Sequence, residues 1–146
     1  MKRICIKGVN YLFLLQLLLI TGCASLGPVY SKADNIPDNS GLVYFYRPSS
    51  IIGSASSYDI KNDDTVITTL YNGGYYPYFS PPGEKEFWAE IESKSSITLD
   101  VKAGQTYYVK GEIGVGFVFP RPHLMVVTPE IAEKEIADCK LIPDNK

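Results

Sequence analysis

Cys23 is the side chain whose surroundings prescribe a reaction most fully. It follows Leu18-Leu19-Ile20-Thr21-Gly22, and upstream lie Lys2, Arg3 and Lys7 and then a twelve-residue apolar run from Val9 to Ile20, interrupted by Asn10 and Gln16. A helix crossing the hydrocarbon core takes about 20 apolar residues, whereas about 10–14 is the length of a signal-peptide core. Gly22 directly before the cysteine, with Ile20 two positions further back, forms a lipobox-like site. The chemistry expected there is attachment of a diacylglycerol to the Cys23 thiol through a thioether, cleavage after Gly22, and acylation, for example with palmitate. Residues 1–22 are thus expected to be a lipoprotein signal peptide and Cys23 the lipidation site. Each buried methylene contributes roughly 0.8 kcal/mol, so two or more acyl chains hold a protein stably at a membrane. Ala24 stands next to the cysteine, where an aspartate tends to retain such proteins in the inner membrane. The expected location is the outer membrane, lipid-anchored and facing the periplasm.

Other reactive arrangements are weaker. His123 is the one histidine, which leaves no second imidazole for a zinc site of ordinary spacing, and no Gly-x-Ser-x-Gly elbow accompanies it. No metal, cofactor or catalytic residue is expected, and the chain is read as non-enzymatic. Gly111, Gly114 and Gly116 run into Phe119-Pro120-Arg121-Pro122 and not into a helix, so they lack the amide-lined helix start of a phosphate loop and read as a flexible or bulged turn. Glu84, Glu86, Glu90 and Glu92 fall at even spacing, which spreads carboxylates along a strand instead of converging them on calcium. They read as a solvated face.

Tyrosines and arginines are the candidate binding residues. Tyr71, Tyr75, Tyr76 and Tyr78 crowd one segment; such rings can stack on sugars, form a partner patch, or pair across strands. Arg47 and Arg121 are the two arginines beyond the signal segment, and each precedes a proline. Lying together they would contact an anion or carboxylate; apart, each would pair with an acid such as Asp59.

Length and charge bound the partners. Removing residues 1–22 leaves 124 residues, one domain and a tether, with eleven basic against sixteen acidic side chains and a formal charge of −5. Nucleic acid is excluded, because its binding rests on phosphate neutralisation by basic runs and none is present. Cys5 leaves with the signal and Cys23 is consumed by lipid, so Cys139 has no partner in the chain. A lone exported thiol is either buried and inert or a candidate for a bridge to a second chain, and its neighbours Ile136, Leu141 and Ile142 favour burial.

The elements that must position these residues are short strands. Residues 23–40 contain Gly27, Pro28, Asn35, Pro37, Asp38 and Asn39 without apolar periodicity and read as a flexible tether, able to reach up to roughly 60 Å. The domain spans 41–142. Strands are predicted over 42–47, 56–60, 65–70, 75–79, from 85 through the alternating Phe87, Ala89 and Ile91, over 96–101, 106–113 and 123–127, divided by turns at Asn62-Asp63-Asp64, Asn72-Gly73-Gly74, Pro82-Gly83 and Ala103-Gly104. A helix opens at Pro129 behind Thr128, carries Ile131, Ala132, Ile136 and Cys139, and stops at Pro143. The fold class is an antiparallel β-sandwich of roughly seven or eight short strands, with the helix covering an edge or an open end.

Val43-Tyr44-Phe45-Tyr46-Arg47-Pro48, Ser57-Tyr58-Asp59, Asn72-Gly73-Gly74-Tyr75, Pro82-Gly83, Ala103-Gly104-Gln105-Thr106-Tyr107-Tyr108-Val109-Lys110 and Arg121-Pro122 together resemble a family of small bacterial lipoproteins, the domain of unknown function 2846. The likeness runs from Gly41 to Leu141; the turns at Pro82-Gly83 and Ala103-Gly104 are also similar, over a shorter stretch, to PEGA-type sandwiches. The resemblance implies an exported lipoprotein with a sandwich-like domain and transfers no catalytic residue. The expected function is a non-catalytic binding or structural module of the bacterial envelope, tethered by Cys23 and meeting an envelope protein or a glycan. An inhibitor or accessory subunit of a cell-wall enzyme is the alternative, and a hydrolase of unfamiliar type is the third.

Overall fold

The β-branched and aromatic run Leu42-Val43-Tyr44-Phe45-Tyr46 forms the strand around which the molecule is built. The computed structural model describes residues 26–116 and 120–144; the expected signal segment, Cys23 and Phe119 lie outside the described residues. In chain order the strands are β1 (Gly41–Arg47), β2 (Tyr58–Asn62), β3 (Thr65–Leu70), β4 (Gly74–Ser80), β5 (Gly83–Glu90), β6 (Lys94–Val101), β7 (Thr106–Gly114) and β8 (Arg121–Val127), followed by helix α1 (Pro129–Ile136) and strand β9 (Lys140–Leu141). They form a five-stranded sheet in the order β8-β7-β1-β4-β9 and a four-stranded sheet in the order β3-β2-β5-β6.

The two sheets enclose one core. Val43 and Phe45 from β1, Val109 from β7 and Leu124 from β8 meet Tyr58, Ile60, Leu70, Phe87, Ala89, Leu99 and Val101 from the other sheet. Phe45 and Phe87 touch edge to face across it, with ring centroids 5.1 Å apart at 73°. Gly111 faces this core from β7: a Cβ there would overlap the Tyr58 hydroxyl and a Leu70 methyl, so close approach of the sheets explains this glycine. That corrects its reading as part of a flexible turn. The turn glycines Gly73 and Gly104, with φ of 69° and 74°, take the left-handed conformation expected of them.

The architecture is the expected mostly-β, two-sheet arrangement with a C-terminal helix, and it differs from the expectation in three ways. Nine strands occur among the described residues, the extra one being the two-residue β9. The larger sheet is mixed: β1 runs antiparallel to β4 but parallel to β7, and β9 runs parallel to β4. Parallel neighbours need long crossovers, so hairpin spacing does not reveal them. Finally, α1 covers a face instead of an edge. Ala132 and Ile136, one turn apart, pack on the outer side of the larger sheet against Leu42, Tyr44, Tyr46, Tyr75 and Tyr108. The helix ends at Ile136, short of Pro143, because the chain then turns so that Lys140 N–H and Ile142 N–H donate to Gly73 O and Tyr75 O, 2.9 and 2.8 Å.

Residues 26–40 are not a free tether. Gly27 N–H donates to Leu141 O at 2.7 Å, Leu141 N–H to Pro28 O at 2.8 Å, and Tyr30 N–H to Cys139 O at 2.8 Å. The segment thus lies along β9 like a further strand, with a bridge between Val29 and Lys140. The Tyr30 ring stands edge-on to Tyr44 and Tyr75, at 5.4 and 5.2 Å, and Ala33 N–H donates to the Tyr44 hydroxyl at 2.8 Å. Isolated apolar residues, Tyr30, Ala33 and Ile36, dock this stretch without any periodic pattern.

Candidate functional site

Arg47 ends β1 and is 1 % exposed. A buried guanidinium requires partners, and here they are backbone carbonyls: Nη1 donates to Ser56 O and Nη2 to Gly53 O, both at 2.7 Å. Its Cζ lies 6.0 Å from the Tyr58 ring centroid. Burial draws the guanidinium below its usual range. The side chain holds down the loop 48–57, and its own carbonyl lies 3.7 Å from the Cys139 sulfur. Beside it opens a cleft of about 260 Å³ lined by Arg47, Ser50, Ile52, Lys110, Glu112 and Ile113.

Arg121 does not join Arg47. It is on the rim of a neighbouring groove with His123, and its Nε donates to Glu92 Oε2 at 3.3 Å. The expected anion contact between the two arginines therefore does not form. Arg121 takes the acid-paired alternative, whereas Asp59 accepts from Thr69 Oγ1 at 2.7 Å and serves neither arginine.

The four tyrosines are split by the alternation of β4. Tyr75 is buried on the outer face with Tyr30 and Tyr44, while Tyr76 and Tyr78 turn toward the inner core. Tyr78 packs edge-on to Phe87 at 6.2 Å, and Tyr76 donates to Asp144 at 2.6 Å. Tyr71 is half-buried before the turn. No single exposed patch results, because adjacent residues of a strand face opposite ways.

The densest polar cluster joins the helix to the outer tyrosines. Tyr46 Oη donates to Glu135 Oε2 at 2.8 Å and Tyr108 Oη to Glu133 Oε1 at 3.2 Å. Lys110 Nζ bridges Glu112 and Glu135, 2.8 Å from each. Burial pulls Lys110 down, but its two carboxylate partners outweigh it and leave the ammonium raised. Burial likewise opposes ionisation of Glu135, and the bonds from Lys110 and Tyr46 hold its carboxyl below the usual range. Burial raises Tyr46 and Tyr108 and pushes Tyr44 up to about 12, so these phenols are neutral donors and acceptors. Cys139 is buried as expected, and burial pushes its thiol up to about 11, away from the reactive thiolate.

The glutamates of β5 stand on the wet face: Glu84, Glu86 and Glu90 are exposed while Phe87 and Ala89 are buried. Glu86 pairs with Lys94 at 3.2 Å, and Trp88 lies between the ammonium groups of Lys61 and Lys94, 4.8 and 4.9 Å from its ring. Among the described residues, no three His, Cys, Asp or Glu side chains converge as metal ligands would.

One surface had no counterpart in the sequence expectations. Ile51 and Ile52, 96 % and 57 % exposed, stand in the loop 48–57, which carries no charged residue. Two adjacent isoleucines within a serine- and glycine-rich stretch were the available signal.

No curated protein and no solved structure matches the chain. One family does match, over a segment that takes in β1 to β7 and the start of β8. It is described as "Protein of unknown function (DUF2846)", and since it matches residues 37–123, more than half of the chain, the chain belongs to that family.

Proposed function

We propose that the chain is a bacterial envelope lipoprotein, held at the periplasmic face of the outer membrane by acylated Cys23, with a non-catalytic domain that serves binding or structure. The observation that carries this reading is the sequence of the first 23 residues: a basic start, a twelve-residue apolar run, and Gly22-Cys23. Membership of a family without an assigned activity is compatible with it. Among the described residues no helix is long and apolar enough to cross a membrane. The sandwich supplies a rigid body and the anchor supplies a place. Confinement beside a membrane raises the effective concentration of the domain for partners in the same layer.

The test is metabolic labelling with an alkyne fatty acid in a Gram-negative host, comparing the full chain with Cys23→Ala. Label on the membrane-bound wild type, located at the N-terminal cysteine by mass spectrometry and lost in the variant, is expected. Equal labelling of both, or an unlabelled chain that keeps residues 1–22, would overturn the reading.

A further inference from the structure

We infer that the end of the sandwich formed by the loop 48–57, the turn 71–73 and the start of the loop after β7 is a membrane-docking surface, with Ile51, Ile52 and Val115 placed in the lipid interface. The inference rests on the acylation of Cys23 proposed above, and it adds which face of the domain meets the bilayer.

The first argument is the length of the leash. Leu26 packs against the inner core and lines a groove with Ser54, Ser57, Tyr71 and Asn72, and Gly27 is hydrogen-bonded to Leu141. Three residue steps separate Cys23 from Leu26, a reach of at most about 11 Å. A free tether over residues 23–40 would allow the domain to stand well off and rotate. The docked segment removes that freedom and fixes the acyl attachment beside one end of the sheets.

The second argument is what that end presents. β1 runs toward it, and so do β3, β5 and β7, so the loop 48–57, the turn after β3, the turn 91–93 and the loop after β7 gather there. Gly53 lies against Ile113, and Ser50 N–H donates to Asn72 Oδ1 at 2.9 Å, which ties these loops together. Residues 48–57, 71–74 and 113–116 contain no charged side chain, in a chain of net negative charge. Ile51, Ile52 and Val115 project from them, 96 %, 57 % and 83 % exposed. The nearest charges stand beside this strip, on β7, on β8 and at the turn 91–93: Lys110 pairs with Glu112 and Glu135, Arg121 with Glu92, and Lys94 with Glu86, while Glu90 adds to the negative charge. The opposite end carries Asp63, Asp64, Glu84, Asp100 and Lys102. Exposed isoleucines on an uncharged strip suit the headgroup and acyl boundary, and the basic groups beside the strip, Arg121 and Lys94, are each engaged by a glutamate. A protein partner would also cover apolar side chains, but the short leash brings lipid to this end first.

The experiment places an environment-sensitive fluorophore on Ile51→Cys or on Lys102→Cys in the lipidated chain, reconstituted into phosphatidylethanolamine and phosphatidylglycerol vesicles. Cys139 is buried and does not compete for the label. Lys102 lies in the turn at the far end, about 20 Å away along β1. Blue-shifted emission and quenching by shallow spin-labelled lipids at position 51, several-fold stronger than at 102, is expected. Ile52→Asp should reduce that quenching without releasing the protein from the vesicles. Equal quenching at the two positions in a chain whose Cys23 is acylated by mass would overturn this inference alone. Absence of acyl mass on Cys23 would overturn the proposed function and this inference with it. Protection of position 51 only when other envelope proteins are present would assign the loop to a protein and overturn the lipid assignment.

Discussion

On the inner face of β1, Val43 and Phe45 meet aliphatic and phenyl side chains from a second sheet, whereas on the outer face Leu42, Tyr44 and Tyr46 meet α1 and the segment 26–36. All seven residues of β1 are buried as a result. The inner layer is mainly aliphatic and phenyl and is closed by the facing sheet. The outer layer is rich in tyrosines, and the hydroxyls of Tyr44, Tyr46 and Tyr108 find partners in the Ala33 amide, Glu135 and Glu133, whereas that of Tyr30 is buried without one. The lesson is that the two flanks of the chain complete the fold: the segment 26–36 is a structural layer, and under the proposed acylation of Cys23 it leaves only a short leash.

The inner layer should show the largest effect. Phe45→Ala removes a fully buried ring and its contact with Phe87, and is expected to cost about 3–5 kcal/mol by urea denaturation. Tyr30→Ala removes two edge-on ring contacts from the outer layer, for an expected loss of about 1–3 kcal/mol. It should also release the segment 26–33 to a protease before the rest of the domain, which Phe45→Ala should not do selectively. Tyr46→Phe keeps the ring and removes one donor from Glu135, and is expected to cost about 1 kcal/mol.

The smallest effect is that of acid. The hydrogen bond and charge of Lys32 hold Glu133 below the usual carboxylate range, and Glu135 is held low by Lys110 and Tyr46 against the cost of its burial. Groups with depressed folded-state values stabilise fully above their unfolded value, about 4.3, and lose that contribution as pH falls through the folded value. Mild acid should therefore loosen α1 and the tyrosine layer while the inner core holds. Near-ultraviolet tyrosine dichroism that weakens below this pH, ahead of the far-ultraviolet strand signal, is the expected observation.

Strands with local signals were readable from the chain. The aromatic run of β1, the alternation of Phe87 and Ala89 with the glutamates, and the Gly73 and Gly104 turns all formed as their side chains demand. Pairings decided at long range were not readable: β1 beside β7, or a two-residue β9 beside β4. The burial of Arg47 was not readable, and only the fold shows the carbonyls of Gly53 and Ser56 that accept from its two terminal nitrogens, its Nε being buried without a partner. The tyrosines of β4 formed a cluster in sequence and not in space, since strand alternation sends Tyr75 and Tyr76 to opposite faces. Composition rich in glycine, proline and asparagine suggested a tether over 23–40, and four isolated apolar side chains, Leu26, Tyr30, Ala33 and Ile36, dock its described part.

The docked segment is tested most directly by amide hydrogen exchange, resolved by residue, on the folded chain in solution. The amides of Gly27, Tyr30 and Leu141 are hydrogen-bonded within the structure, and each is expected to be protected at a level approaching that of β4. Exchange of Gly27 and Tyr30 at unfolded-chain rates, with β1 and β4 still protected, would contradict the account and restore a long, free leash.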